Sequence, residues 1–216
     1  MTPLNPSQNG TRISDIAFTA AVKAQQEQYG SRELNAKMMQ THDWSDSRSP
    51  DLESFIGERD SFYLGTTNAQ GQPYIQHRGG PKGFLKVLGP RQLAFADYSG
   101  NRQYITLGNL DENSGAFIFL MDYAHRRRVK IWGTARVDSD PALLERVRDP
   151  AYSGRPERVI IFTIRAWDVN CPQHIQPRLD EAAVREAVQK WKARVAQLEA
   201  ENEELKARLR EKTEAA

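Results

Sequence analysis

Residues 61–78 read SFYLGTTNAQGQPYIQHR, two runs with a side-chain period of two that flank the turn sequence Asn68-Ala69-Gln70-Gly71. This period is typical of strands, and a short turn between two such runs favours a β-hairpin. Seven segments along the chain are predicted as strands: Ser61–Thr67, Gln72–Arg78, Gly83–Leu88, Arg91–Tyr98, Gly115–Asp122, Arg128–Val137 and Val159–Ala166. Their spacing of about ten residues per strand favours an antiparallel barrel.

Helical patterns surround and interrupt this strand-rich region. Residues 11–41 carry apolar side chains at helical spacing, broken at Gly30, and predict two N-terminal helices. Shorter helices are predicted over Asp51–Ile56, Asn101–Leu110 and Pro141–Val147. The organisation is therefore mainly β with helices (α+β): an N-terminal helical segment over 1–50, a barrel domain over 51–178 and a C-terminal helix over 179–216.

Composition excludes several classes of protein. The 216 residues are 39% hydrophobic, which suits one domain with an appendage, and 30 Lys and Arg against 28 Asp and Glu select no charged partner such as nucleic acid. No stretch approaches the roughly 18 apolar residues of a membrane span, and residues 1–6 lack the features of a signal peptide, so we expect a cytoplasmic protein. The single cysteine excludes an internal disulfide, and four scattered histidines favour no metal site.

The C-terminal segment is a heptad repeat. Charged residues make up 17 of the last 37, and the apolar residues alternate between spacings of three and four. Position d holds Val184, Trp191, Leu198 and Leu205, and position a holds Val188, Val195, Asn202 and Leu209. A lone Asn at a favours a parallel dimeric coiled coil, in which Arg194 faces Glu199 of the partner helix and Glu201 faces Lys206. The alternative is a single amphipathic helix that packs on its own domain.

Two glycine-containing segments are candidate ligand sites. Tyr98-Ser99-Gly100-Asn101-Arg102 leads from a strand into a predicted helix, where free amides and the Arg102 guanidinium suit an anion such as a phosphate monoester. The alternative is an ordinary helix cap with a solvated arginine. His77–Gly83 combines three glycines with Arg78 and Lys82, which suits close approach of an anionic ligand, or else a plain surface loop.

Two further segments carry reactive or basic side chains. Asn170–Arg178 contains Cys171, a candidate nucleophile or a small buried hydrophobic residue, and His174, a candidate general base or a hydrogen-bonded contact. His125–Arg128 with Lys130 is a basic cluster at a predicted hairpin tip. It indicates either a nucleic-acid contact or, because aromatic residues are not interleaved, a solvated turn from which Arg128 points into the anion site.

Several short motifs resemble the flavin-binding split barrel of the pyridoxamine 5′-phosphate oxidase family. They are Gly71-Gln72-Pro73-Tyr74, Leu93-Ala94-Phe95, Gly100-Asn101-Arg102 and Arg128-Val129-Lys130-Ile131-Trp132-Gly133-Thr134-Ala135. In addition, Asn170-Cys171-Pro172-Gln173-His174-Ile175 is similar to a signature of oxidase-related FMN-binding proteins. The resemblance implies a six-stranded split barrel and a homodimer that holds FMN between its subunits.

The resemblance also implies the cofactor-binding residues: Arg78, Gly79, Gly80, Asp97, Asn101, Arg102, Arg128, Gln173 and His174. Asn101 and Arg102 would hold the phosphate, with Asp97 on the strand before them. Arg78 and the glycine backbone would lie along the flavin, Arg128 would reach the phosphate or the ring, and Gln173 and His174 would close the site.

The implied activity is that of an FMN-dependent oxidoreductase with a small-molecule redox substrate. The chain lacks the C-terminal Arg-x-His motif of the true oxidases, and Gln103 stands where they commonly have Lys, so the substrate stays open. One alternative is a non-catalytic flavin-binding or flavin-sensing dimer whose coiled coil presents a partner surface. Another is an assembly protein without a cofactor.

Overall fold

A computed structural model of the chain describes residues 12–170 and 172–214, and these residues form seven strands and six α-helices. The strands are β1 (Ser61–Thr67), β2 (Pro73–Gly79), β3 (Lys86–Gly89), β4 (Gln92–Tyr98), β5 (Gly115–Asp122), β6 (Arg127–Asp138) and β7 (Pro156–Asn170). The helices are α1 (Ala20–Gln28), α2 (Arg32–Thr41), α3 (Pro50–Gly57), α4 (Ile105–Glu112), α5 (Pro141–Val147) and α6 (Glu181–Glu214). A 3-10 helix at Ile13–Ile16 precedes them.

All seven strands belong to one antiparallel sheet in the order β2-β1-β5-β6-β7-β4-β3. β1 and β4 are not neighbours in this order, yet the rings of Phe62 and Phe95 lie edge to face with centroids 5.1 Å apart. The sheet is therefore rolled around a shared interior. The predicted fold class is confirmed, with one strand more than the six that the resemblance implied.

The side-chain period of two explains where the core lies. Along β1, Phe62, Leu64 and Thr66 are buried, whereas Tyr63 is exposed. β4 is instead buried on both faces, because Leu93 and Phe95 point into the main core while Ala94 and Ala96 pack against a smaller cluster that includes Val147 of α5. α5 begins at Pro141 after Asp140, whose side chain accepts a hydrogen bond from the backbone of Ala142.

Gly133 lies at a bulge where the two longest strands, β6 and β7, change register. The register between β6 and β7 shifts between Trp132 and Gly133. A Cβ at residue 133 would lie 2.1 Å from the carbonyl oxygen of Thr163 and 2.5 Å from the ring of Phe162. The bulge therefore requires glycine at this position.

Three predicted boundaries need correction. α4 begins at Ile105 rather than Asn101, because Arg102 and Tyr104 take left-handed backbone conformations that a right-handed helix excludes. β3 begins at Lys86 rather than Gly83, because the chain still turns there, with the Phe84 N–H donating to the Pro81 carbonyl at 2.9 Å. β7 is longer than predicted at both ends, because pairing with β4 and β6 extends beyond its apolar run.

The segment between α2 and α3 fastens the N-terminal helices to the sheet. The indole of Trp44 stacks on that of Trp132 with centroids 4.7 Å apart. Trp167 of β7 donates from Nε1 to the Ser47 carbonyl and from its backbone N–H to the Ser45 carbonyl, both at 2.8 Å. The predicted N-terminal helices are confirmed.

The described chain divides into two compact units. One contains the described residues up to Asp122 with Arg127–Gln173, and the other contains Tyr123–Arg126 with the described residues from His174 onward. In the second unit, the Arg178 guanidinium lies 4.5 Å from the ring centroid of Tyr123. Asp180 caps α6 by accepting a hydrogen bond from the Ala183 N–H at 2.7 Å. Within the described ranges, no helix is both long and apolar enough to cross a membrane.

Candidate functional site

A cavity of about 210 Å³ opens where β2, β4 and the start of α4 meet. Its walls include Arg78 of β2, Asp97 of β4, the loop from Gly100 to Tyr104 and the first turn of α4. All of these residues belong to the first compact unit. The rolled sheet thus brings together side chains that lie far apart in the sequence.

A network of four charged side chains lies along one wall, and three of them line the cavity: Arg78, Asp97 and Glu157. Arg78 donates from a terminal nitrogen to Asp97 Oδ1 at 2.6 Å, across two strands that are not neighbours in the sheet. Arg158 lies 3.9 Å from the other Asp97 oxygen and 2.6 Å from Glu157. All four side chains are largely buried, and their formal charges cancel. The exposed Arg155 also lies 3.9 Å from Glu157. The buried part of this wall therefore adds no net charge to the cavity.

The opposite wall is a loop with unusual backbone geometry. Arg102 and Tyr104 have φ angles of 59° and 54°, in the left-handed region that non-glycine residues rarely adopt. The Asn101 side chain accepts a hydrogen bond from the Gln103 N–H at 3.2 Å, which supports this turn. Left-handed conformations cost about 1–2 kcal/mol per residue, so the surrounding contacts hold the loop against local strain.

This loop presents a cation and free backbone donors to the cavity. Arg102 is exposed, and none of the residues in 12–170 and 172–214 forms an ion pair with it. Tyr104 occupies the N-cap of α4 without a capping side-chain hydrogen bond, and Ile105, Thr106 and Leu107 of the first turn line the cavity. An uncapped helix N-terminus beside a guanidinium is suited to bind an anion.

Three side-chain hydrogen bonds fix α4 on the sheet. Thr106 donates to Gln76 of β2 at 2.7 Å, and Asn109 donates to Thr66 of β1 at 3.0 Å. Asn113, at the end of the helix, donates to Thr67 at 2.8 Å. These bonds orient the N-terminus of α4, so its free amides keep one position relative to the β2 wall.

Tyr98 adds an aromatic surface beside the loop. Its ring lies edge to face with that of Tyr152, with centroids 5.0 Å apart. Burial raises the pKa of the Tyr98 phenol above its ordinary value. The phenol therefore stays neutral at physiological pH and adds no negative charge that would repel an anion.

The predicted site residues fall into two groups. Arg78, Asp97, Asn101 and Arg102 meet at the cavity. The others do not line it: Gly79, Gly80, Arg128, Gln173 and His174. Arg102 lies three residues before α4 rather than within its first turn.

The residues outside the cavity have definite places in the structure. A Cβ on Gly80 would lie 2.7 Å from Phe84, so close packing accounts for this glycine, while Gly79 ends β2. Arg128 lies on β6 opposite Met121, and Gln173 is exposed. His174 belongs to the second unit and has a left-handed φ of 62°. Cys171, the candidate nucleophile, lies outside the described residues.

Sequence reasoning missed Gln76, Tyr104, Glu157 and Arg158 as neighbours of the site. Arg158 pairs directly opposite Asp97 in the β4–β7 register. Complementary charges at these two positions were therefore a usable signal, but only once β4 and β7 were known to be adjacent. Nothing in the local sequence around Tyr104 predicts its left-handed conformation.

The family model described as pyridoxamine 5′-phosphate oxidase matches residues 49–171, which is more than half of the chain. The chain belongs to the pyridoxamine 5′-phosphate oxidase family. The matched range contains β1 to β7 and all of the residues that line the cavity. The resemblance inferred from the short motifs is thus confirmed.

Several solved structures are similar to this chain at low sequence identity. HupZ from Group A Streptococcus is 17% identical, with a TM-score of 0.47 and coverage of 61% of this chain and 99% of that one. An FMN-binding protein from Syntrophomonas wolfei is 12% identical, with a TM-score of 0.44 and coverage of 67% and 97%. A Clostridium acetobutylicum protein related to general stress protein 26 is 15% identical, with a TM-score of 0.45 and coverage of 58% and 88%. No curated protein matches the chain.

Proposed function

We propose that this member of the pyridoxamine 5′-phosphate oxidase family binds FMN and holds its phosphate in the cavity between β2, β4 and α4. The observation that carries the proposal is the distribution of charge. Arg78 and Arg158 are neutralised by Asp97 and Glu157, whereas Arg102 faces the same cavity without a carboxylate partner among the described residues. One uncompensated cation beside free helix amides fits a phosphate monoester.

The donor set fits the phosphate of FMN chemically. The Arg102 guanidinium offers parallel N–H donors to two phosphate oxygens, and the amides at the start of α4 offer further donors. Asp97 accepts the hydrogen bond of Arg78 and so keeps that guanidinium in the wall. The buried Nε of Arg78 has no hydrogen-bond partner among the described residues.

The size of the cavity suits only one end of the cofactor. A volume of about 210 Å³ is smaller than the usual ~300–1,000 Å³ of sites that enclose a whole ligand of this kind. The flavin ring would therefore lie outside the cavity. Of the predicted residues that do not line it, Gly79, Gly80, Arg128 and Gln173 belong to the first compact unit and are candidates to contact the ring from the same subunit or from a partner.

A homodimer with FMN between its subunits is the second part of the proposal. Strands β1, β2 and β5 turn apolar side chains outward, and Ile75 on β2 is 69% exposed. A shallow apolar depression beside Ile75 includes Gly65, Phe117 and Trp132. Exposed apolar surface of this kind is typical of a protein–protein interface. A second subunit on this face would cover it.

The flavin would supply the redox chemistry, and the chain would bind, orient and shield it. The corresponding function is an FMN-dependent oxidoreductase with a small-molecule substrate. Reduction of the bound flavin by NADH or NADPH without oxygen, followed by recovery of its colour in air, would identify turnover. A bound flavin that no donor reduces would instead favour the non-catalytic flavin-binding dimer.

The first test is a visible absorption spectrum of the purified protein, followed by mass identification of the compound that denaturation releases. We expect the paired near-ultraviolet and blue bands of oxidised flavin and the mass of FMN. A colourless protein that also fails to bind added FMN would overturn the proposal.

The second test separates recognition of the phosphate from recognition of the ring. Arg102→Ala removes a charge-assisted contact of about 1.5–3 kcal/mol, so the Kd for FMN is expected to rise by roughly tenfold or more. The Kd for riboflavin, which lacks the phosphate, is expected to stay unchanged. Arg146→Ala, on the exposed side of α5 and outside the cavity, is the matched control. An unchanged Kd for FMN in Arg102→Ala would remove Arg102 from the site.

A further inference from the structure

We propose that α6 pairs, parallel and in register, with α6 of a second copy of this chain as a two-stranded coiled coil. The inference concerns the second compact unit and does not depend on the cofactor. α6 is one continuous helix of 34 residues, with a length of about 51 Å at the usual rise per residue. It therefore provides a long, regular surface for a partner helix.

The face that would form the interface is apolar and uncovered. Seven apolar residues at the a and d positions of α6 are 44–72% exposed. They are Val184, Val188, Trp191, Val195, Leu198, Leu205 and Leu209. A stripe of this length in water is unfavourable for a free helix, and burial against another helix removes that penalty. The regular 3.5-residue spacing matches a coiled-coil partner better than an irregular surface.

The residue types on this face select two parallel strands. Val188 and Val195 are β-branched at a, and Leu198 and Leu205 occupy d, a combination that favours dimers. In a parallel, in-register pair, Asn202 meets its counterpart and the two amides hydrogen-bond to each other. In an antiparallel pair, an a residue faces a d residue, so Asn202 would be buried against an apolar side chain without a partner.

The charges flanking the stripe identify the partner as a second copy. Among the described residues of α6, four ion pairs form along the helix, including Lys190 with Glu186 at 2.6 Å and Arg208 with Glu204 at 2.6 Å. Arg194 at g and Glu199 at e take part in none of the ion pairs found among the described residues. In a parallel dimer, position g faces position e of the partner helix five residues along. Arg194 and Glu199 then form two symmetric pairs.

Disulfide trapping in the full chain tests both the partner and the direction of pairing. In a Cys171→Ser background, Leu205→Cys places one thiol at a d position that meets itself only in a parallel, in-register pair. Ala207→Cys, two residues away at the outward-facing f position, is the matched control. With oxidised glutathione as oxidant, we expect covalent dimers from Leu205→Cys to form roughly tenfold faster or more than from Ala207→Cys.

The control also excludes proximity as an explanation. Dimerisation of the barrels would raise the encounter rate of both engineered thiols, but it would not favour position 205 over position 207. Equal rates for the two variants, or no covalent dimer from Leu205→Cys, would overturn the proposal. An antiparallel pair or a different protein partner would give one of these two results.

A second measurement avoids the cysteine changes. We expect the helical circular dichroism of the native chain to melt at a higher temperature after a roughly hundredfold increase in chain concentration. Leu198→Glu with Leu205→Glu is expected to abolish that dependence, whereas Ala200→Glu with Ala207→Glu, both at f, is expected to keep it. If neither pair of substitutions alters the dependence of the melting temperature on chain concentration, the proposal is contradicted. FMN affinity is expected to be the same in the two cysteine variants and in the two double glutamate variants. Failure of the coiled coil and failure of the cofactor site are therefore distinguishable.

Discussion

The barrel and α6 differ in the exposure of their apolar side chains. In the barrel, apolar residues at every second position face the interior, and Leu64 is fully buried. In α6, apolar residues recur every three to four positions, yet Leu205 is 63% exposed. Both patterns are regular, and both predict their secondary structure correctly.

The difference shows that periodicity determines which face of an element is apolar but does not determine what covers that face. The sheet is rolled, so its inner face is covered by its own strands. A single straight helix cannot cover its own apolar face in this way. The stability of the barrel is thus set within one chain, whereas in the proposed coiled coil that of α6 depends on a second copy of the chain.

The largest expected effect comes from truncating one leucine in each region. Leu64→Ala removes a fully buried side chain and is expected to lower the free energy of unfolding of the barrel by about 2–5 kcal/mol. Leu205→Ala makes the same chemical change on α6 and is expected to leave the unfolding of the barrel unchanged. Urea denaturation followed by tryptophan fluorescence measures both. Equal losses would mean that the two regions do not differ as described.

The second effect concerns backbone packing within the barrel. Gly133→Ala places a methyl group 2.1 Å from the Thr163 carbonyl oxygen, so the β6–β7 bulge must shift, with an expected loss of about 1–3 kcal/mol. Gly89→Ala is the matched control, because no atom lies within 4 Å of its added Cβ and its φ is not left-handed. The same denaturation experiment compares them. A neutral Gly133→Ala would show that the bulge adapts freely.

Much of the fold was predictable from the sequence because its signals are local. The alternation in 61–78 and the turn at Asn68–Gly71 predict the β1–β2 hairpin, and the structure pairs Thr66 with Tyr74 across it. The order of the strands was not predictable in this way. β4 lies beside β7, which follows it by more than 50 residues, and no local pattern encodes that pairing.

The candidate site was predictable only in part, for the same reason. Asn101 and Arg102 stand out within one short motif, and they line the cavity. Arg158 reaches the site only because β7 pairs with β4, so its role depends on long-range topology. The packing of Gly80 also depends on the fold, because the short sequence motif does not indicate that an added Cβ there would lie 2.7 Å from Phe84.

The smallest expected effect sharpens the comparison at the level of charge. In the barrel, the Arg78–Asp97 pair is largely buried, whereas the proposed pair of Arg194 with Glu199 of the partner helix lies at an exposed edge. Exposed pairs contribute about 0.2–1 kcal/mol each and weaken as salt rises. Arg194→Glu is therefore expected to lower the melting temperature of the α6 transition slightly, and so is Glu199→Arg.

The double variant Arg194→Glu with Glu199→Arg exchanges the charges and is expected to recover most of that loss, because each reversed residue again faces its opposite. Barrel unfolding should not respond to any of the three variants. The recovery should also shrink at high salt, since the pair is open to solvent. Losses that simply add in the double variant would show that Arg194 and Glu199 do not meet, and α6 would then lack the pairing that distinguishes it from the barrel.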